Sequence, residues 1–251
     1  MEPREYERMY HCEDTYWWFQ GRLHMILALL ESGMRRQPRP GRTLDVGCGT
    51  GLMLQKLARW RPTGIDVSLL ALGYSRKRGL QNLVQGDITR LPFADGSMDL
   101  LLALDVMEHV ERDDLMIREF RRVLRPGGWL MATVPAHPWL WSDHDRALHH
   151  HRRYTKGSLR KLLRHGDFRP RRLTYGISFM YYPIVAFRKL QGLWQRSAGM
   201  EQGRPKAHII PLPGPLNKAM IGLLKVEAAL LRRIDLPVGV SLMTLAQRAR
   251  D

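Results

Sequence analysis

The chain has 251 residues, 44% of them hydrophobic and 25% charged, with a formal net charge of +16 and two cysteines. That length and apolar content suit one generous domain, or a core with a subdomain, and exclude a disordered chain. Cys12 and Cys48 are too few for a disulfide framework and point to a reducing, cytoplasmic setting; no apolar run reaches the roughly 20 residues that span a bilayer, and MEPREYERMY has no secretory-leader pattern. The charge is uneven. Residues 1–145 hold 19 Lys/Arg against 19 Asp/Glu, and residues 146–251 hold 21 against 5. The C-terminal part therefore suits an anionic partner (a phospholipid surface, a phosphorylated substrate or nucleic acid), or it serves solubility alone.

In chain order, TLDVGC reads as a buried strand and LMLQKLARW as the helix after it. PTGID and NLVQGD are short strands on either side of a helix, LLALGYSRKRG. MDLLLALD is apolar enough to be covered on both faces. DDLMIREFRRVLRPGG has helical spacing with a Pro-Gly-Gly stop, WLMATVP is a strand, residues 156–163 a helix and FRPRRLTY a strand. Alternation of this kind predicts an α/β fold, a mostly parallel sheet with helices on both faces. After residue 175 the pattern breaks. About 60 residues, including the amphipathic stretch LNKAMIGLLKVEAALLRRI, precede a last strand in VGVSLMTLAQR, which is too long for a plain connection. The expected organisation is a helical lid over 1–40, a core over 41–175, a helical insertion over 176–235 and a terminal strand over 236–251 that rejoins the core sheet.

LDVGCGTG places Gly47, Gly49 and Gly51 between a strand and a helix, where the backbone can closely approach a ligand beyond the strand ends. The third glycine comes one position early for a dinucleotide fingerprint, and Asp45 just before the turn would repel a pyrophosphate but suit an ammonium. Asp66 in GIDVS and Asp87 in QGDITRLPF stand at the ends of the next two strands, suited to ribose hydroxyls and an adenine amino group. With DLLLALDVMEHV and VLRPGGWLMATVP following in order, residues 43–134 closely resemble the class I S-adenosylmethionine-dependent methyltransferases, in the branch that includes the ubiquinone-pathway enzymes. The resemblance implies a Rossmann-like seven-stranded sheet with one reversed C-terminal strand, and S-adenosylmethionine as cofactor. It puts Asp45, Gly47, Cys48, Gly49 and Gly51 along the methionine moiety, Asp66 and Val67 at the ribose, Asp87 and Ile88 at the adenine, and Asp105 near the transferred methyl. It also implies that Trp18, in the Tyr-Trp-Trp-Phe run of residues 16–19, shields the sulfonium and that Arg22 meets the methionine carboxylate.

On the acceptor side the residues offer His109 and His144 as bases and Glu108, His149, Arg152, Arg153 and Tyr154 as an acceptor wall. The loop SDHDRALHHHRRYT carries most of them. Asp105, Glu108 and His109 form D-x-x-E-H, similar to the E-x-x-E-H of two metal-using methyltransferase branches, so a divalent metal stays open, as does a purely structural pairing of the loop arginines with core acids. The insertion mixes Phe179, Tyr181, Tyr182, Phe187 and Trp194 with Arg188, Lys189, Arg196, Lys218, Lys225, Arg232 and Arg233, a composition suited to a membrane surface or to plain subdomain packing. The expected function is methylation, on oxygen, of a hydrophobic or lipid-linked, phosphorylated or plain, small-molecule acceptor at the inner face of a membrane. RNA methylation, N-methylation of a small metabolite and a non-catalytic cofactor-binding scaffold are the rivals. Oligomeric state is left open.

Overall fold

A computed structural model describes residues 3–35, 40–187 and 212–250. Trp194, Arg188, Lys189 and Arg196 of the insertion lie outside the described residues. Helices α1 (Pro3–Cys12) and α2 (Trp17–Gly33) precede strand β1 (Thr43–Val46). Then come α3 (Leu52–Lys56), β2 (Thr63–Asp66), α4 (Leu69–Lys77), β3 (Leu83–Gln85), β4 (Met98–Leu104), α5 (Asp113–Val123) and β5 (Leu124–Pro135). Two short helices, α6 (Asp143–Ala147) and α7 (Lys156–His165), lead to β6 (Phe168–Gly176); α8 (Gly214–Leu231) and β7 (Ser241–Arg248) complete the chain.

The seven strands form one sheet in the order β3-β2-β1-β4-β5-β7-β6. Only β7 is reversed, pairing antiparallel with both β5 and β6. The expected fold class is therefore the observed one. All the other strands point the same way, so the loops after β1, β2, β4 and β5 gather at one end, where ligands of open α/β sheets bind.

Period-two alternation sorts the core. Leu100 and Leu102 of β4 point into one layer with Met25, Leu29, Leu224 and Leu231, whereas Leu101 and Ala103 point into the other with Ile117, Phe120, Leu159 and Leu163. Helices α2 and α8 thus cover one face, and α5 and α7 the other. Gly21 is what lets α2 and α8 meet, because a Cβ there would run into the Leu224 side chain. Asn217 fastens the same junction, accepting from the Trp17 amide at 2.9 Å and donating to the Thr15 carbonyl at 2.8 Å. The described part of the insertion therefore shares its core with the N-terminal segment.

One boundary differs from the sequence pattern. The helix read over residues 113–128 ends at Val123, and RPGG forms the start of β5. The ladder passes from Met98↔Leu124 directly to Leu100↔Trp129, so the Arg-Pro-Gly-Gly run is looped out as a bulge, which the positive φ of Gly127 (+75°) accommodates.

Candidate active site

The glycine loop is built as its sequence demands. Gly47 (φ +67°), Gly49 (φ +55°) and Gly51 (φ +84°) all take left-handed backbone, and a side chain at Gly47 would collide with Val106, just beyond β4. Asp66 ties the loop to β2, its two oxygens accepting from the amides of Gly49 and Ser68 at 2.9 Å each. Asp45 is buried at the end of β1, and burial together with the nearby Asp66 pushes its carboxyl up to about 8. Asp66 is raised as well, chiefly by burial. Cys48 is buried and its thiol is pushed up by burial, so it packs the loop and is no nucleophile. Val67 is exposed and Ile88 buried; Asp87 is exposed and accepts from the Thr89 amide and hydroxyl at 2.8 Å. Two buried carboxyl groups facing a loop of glycines are an environment that a cationic amino acid would relieve.

Helix α1 lies over this loop. Glu13 bonds the Thr50 hydroxyl and pairs with Arg78 at 2.7 Å; Arg78 also holds Asp14 at 2.8 Å and the Thr50 carbonyl at 2.9 Å. Tyr6 reaches Ser68 beside Asp66, and Met9 sits against Gly49. The sequence gives no motif for these contacts, since they join residues 28 to 65 positions apart.

At the end of β4 the backbone turns through Asp105, which has φ +52°. Its carboxylate pairs with Arg22, a buried residue of α2 that also donates to Thr133 Oγ1 at 2.9 Å and Ser241 Oγ at 3.4 Å. Burial pulls the Arg22 guanidinium down to about 10. The Trp18 ring lies 6.0 Å from that guanidinium. Arg22 and Asp105 therefore join the N-terminal segment to the tops of β4, β5 and β7.

The polar loop resolves unevenly. His144 and His149 are exposed, the latter with φ +56°, and Tyr154 is buried with its hydroxyl against Met107 O (3.4 Å) and Asp113 (3.3 Å). Arg152 pairs with Asp113 at 2.6 Å, and Arg153 forms a fork on Asp145 at 2.7 and 2.9 Å. Both arginines, read from sequence as an acceptor clamp, are thus committed to carboxylates of the fold. The histidine that turns inward is His150, which the sequence reading passed over. Its Nδ1 donates to Asp145 Oδ1 at 3.0 Å, and its Nε2 lies 4.0 Å from Glu108 Oε1. Burial alone would raise Asp145, but His150, Arg153 and Ser142 hold it well below the usual carboxylate range, so it is ionised and holds the Nδ1–H of His150, turning Nε2 toward Glu108. His109 stacks edge-on to His150 at 4.7 Å, and burial, with His150 close by, pulls it down to about 4. Glu108 is buried, its Oε2 has no partner, and burial pushes its carboxyl up to about 8.

Ligand atoms of Glu108, His109 and His150 lie within 4.8 Å of one another. A carboxyl group and two imidazoles, one backed by Asp145, are a donor set that would fit a divalent first-row metal, and the orphaned Glu108 oxygen would be satisfied by one.

A glycine loop with two buried acids, at one end of a sheet in which only the last strand is reversed, fits the Rossmann-like fold of the class I S-adenosylmethionine-dependent methyltransferases. Residues 44–132 match the methyltransferase domain family. The chain is 32% identical over 194 residues to an uncharacterised methyltransferase of Mycobacterium marinum, covering 72% of each protein. It is 40% identical over 115 residues to a fatty-acid O-methyltransferase of Mycolicibacterium smegmatis, covering 43% of this chain and 42% of that protein, so it spans about two fifths of that relative's length. A solved S-adenosylmethionine-dependent methyltransferase of Thermotoga maritima shares the fold with a TM-score of 0.57 at 15% identity, over 98% of this chain and 95% of that one. The chain belongs to the methyltransferase family.

Proposed function

We propose that the protein transfers a methyl group from S-adenosylmethionine to an oxygen of a hydrophobic or lipid-linked acceptor. The observation that carries this reading is the Asp145–His150 pair, aimed at Glu108 just past the strand whose Val106 touches the glycine loop. Bound S-adenosylmethionine supplies an electrophilic methyl on a sulfonium. His150 then takes the proton of an acceptor hydroxyl at Nε2 as the new C–O bond forms, and Asp145 stabilises the imidazolium through Nδ1–H. An acceptor that is already a carboxylate needs alignment only. A divalent metal on Glu108, His109 and His150 would occupy Nε2 and take the place of the base, and would instead supply Lewis-acid polarisation of an acceptor oxygen. Helix α1 and Trp18 exclude water from the cleft.

Three features support an apolar acceptor. His137, Trp139, Tyr175 and Tyr181 form a linked aromatic group around the ends of β5 and β6, with His137 stacked on Tyr175 at 5.2 Å. Arg153 connects this group to the site, since it holds both Asp145 and the carbonyl of Ala136, next to His137. Outside the packed face of α8, Leu216, Ala219, Leu223, Val226 and Leu230 form an exposed stripe spaced by three and four residues, alongside Lys218 and Lys225. Such a stripe suits the interface of an anionic membrane, from which a lipid acceptor would be drawn. Among the described residues no helix is long and apolar enough to cross a membrane. The fatty-acid substrate named for the Mycolicibacterium smegmatis relative agrees with this reading.

The test is to incubate the protein with methyl-labelled S-adenosylmethionine and, separately, long-chain fatty acids, isoprenoid phenols, small amines and RNA. Label extracted into organic solvent is the expected result, with the label on the phenols lost in His150→Ala and that on the fatty acids kept, while cofactor affinity stays. Label in the RNA or amine reaction overturns the acceptor assignment.

A further inference from the structure

Beyond the end of β6 the chain runs through Ile177, Ser178, Phe179 and Met180 into a helix that is described over residues 181–187. The leading amides of a helix need acceptors, and residues 176–187 contain no acid to supply one. The Ser178 hydroxyl, the local candidate, is turned instead to the Val238 carbonyl at 2.5 Å. The acceptor comes from α8. There Glu227, 49 residues on, takes the Ser178 amide on both carboxylate oxygens at 2.9 and 3.0 Å. Burial pushes the Glu227 carboxyl up, and the amides of Ser178, Ile177 and Phe179 oppose that rise.

The position of this carboxylate is unusual for its helix. On α8 the buried residues are Leu224, Glu227, Ala228 and Leu231, so one acid interrupts an apolar face that packs into the core. Such a group is costly to bury unless it is bonded, and its bond falls on a strained turn. Ile177 is buried and β-branched, yet has φ +58°, a left-handed conformation that such residues rarely take. The turn leads directly to the aromatic group beside the site. The Tyr181 amide donates to the Ser178 carbonyl at 3.0 Å, and the Tyr181 ring lies 5.2 Å from His137 and edge-on to Trp139 at 6.4 Å. The segment after α8 closes the arrangement, because Ser178 holds Val238 and His137 Nε2 donates to the next carbonyl, Gly239, at 3.0 Å. Ser178 therefore connects Glu227 to both sides of the aromatic group.

We propose, on the reading that the acceptor is apolar and meets this aromatic group, that Glu227 is a positioning residue for the acceptor. By holding Ser178 it sets Tyr181 against His137 and Trp139, and so fixes the wall on which the apolar part of the acceptor lies. Glu227 acts on that wall and not on the reacting atoms. Its loss should weaken acceptor binding equally in the ground and transition states, which raises KM and leaves kcat alone.

The experiment is steady-state methylation of a long-chain fatty acid and of an isoprenoid phenol by the full chain, Glu227→Gln, Tyr181→Ala and the double variant, with thermal melts and cofactor affinity measured alongside. Glu227→Gln keeps the side-chain volume but turns a donor toward the Ser178 amide. It should raise KM about fivefold to tenfold, with kcat within about twofold and cofactor affinity unchanged. The rise should shrink as the apolar tail of the acceptor is shortened, which a general loss of structure would not produce. Because Glu227 acts through Tyr181, the two rises should not multiply, and the double variant should have the KM of Tyr181→Ala. A parent protein that methylates neither acceptor overturns the apolar reading and this proposal together. Methylation by the parent with KM unchanged in Glu227→Gln, or with rises that multiply in the double variant, overturns this proposal alone. Equal losses in kcat or cofactor affinity would make Glu227 a support of the whole fold and likewise overturn it.

Discussion

Cofactor binding should expel a proton. Asp45 is buried beside Asp66 with its carboxyl pushed up to about 8. At pH 7 that carboxyl is protonated about ten to one, whereas beside a bound ammonium it should return toward the ordinary value of about 4 and ionise. Close to 0.9 proton should then leave per cofactor bound at pH 7, falling to about 0.1 at pH 9, where the free protein has already lost it. Apparent affinity should rise close to tenfold per pH unit up to about pH 8 and then level off. Titration calorimetry in two buffers of different ionisation enthalpy measures the release directly, and Asp45→Asn should abolish it while weakening binding. The same release in Asp45→Asn, or none in the parent protein, would refute the assignment of Asp45 to the ammonium. The unliganded protein carries the matching sign. With its folded value above the unfolded one, Asp45 costs stability progressively as pH rises from about 4 to 8, and saturating cofactor should remove that slope in thermal melts.

Asp145→Asn removes the carboxylate shared by His150, Arg153 and Ser142, and should cost roughly 3–5 kcal/mol in urea unfolding as well as methyl transfer. Because Asp145 sits below its ordinary range, its contribution is complete above about pH 4 and disappears as pH falls through the folded value, so the parent and the variant should converge in acid. His150→Ala should lower the rate by about 10²–10⁴ on a hydroxyl acceptor with little change in cofactor affinity. Gly47→Ala forces a side chain onto Val106 at φ +67° and should cost about 1–3 kcal/mol, with a larger loss in cofactor affinity, read by denaturation and equilibrium binding. Arg78→Ala frees Glu13 and Asp14 from the glycine loop; limited proteolysis should then cut near α1, and cofactor should protect less well than in the parent.

Where chemistry follows the chain, the sequence was a sufficient guide. LDVGCGTG announces a turn because only glycines take its left-handed backbone, and the strand-end acids Asp45 and Asp66 follow their strands by position alone. The reversed last strand came from the family resemblance, with VGVSLMTLAQR as the segment able to supply it, and the pairing with β5 is antiparallel as that resemblance implies. The polar loop is where local reading stopped. Four histidines lie between residues 144 and 151, and nothing in their spacing distinguishes His150 from His144 or His149. The difference is made by Asp145, which orients His150, and by Glu108, contributed by another strand's end.

What this sequence determines by itself is the order of its strands and helices, the cofactor loop and the excess of positive charge, because each depends on residues near one another in the chain. Which arginine meets a carboxylate, which histidine faces the cleft, and that α1 closes over the glycine loop are decided only by folding. Each of these outcomes is a competition among buried charges for partners dozens of residues away, and only the packed sheet sets the distances on which that competition turns.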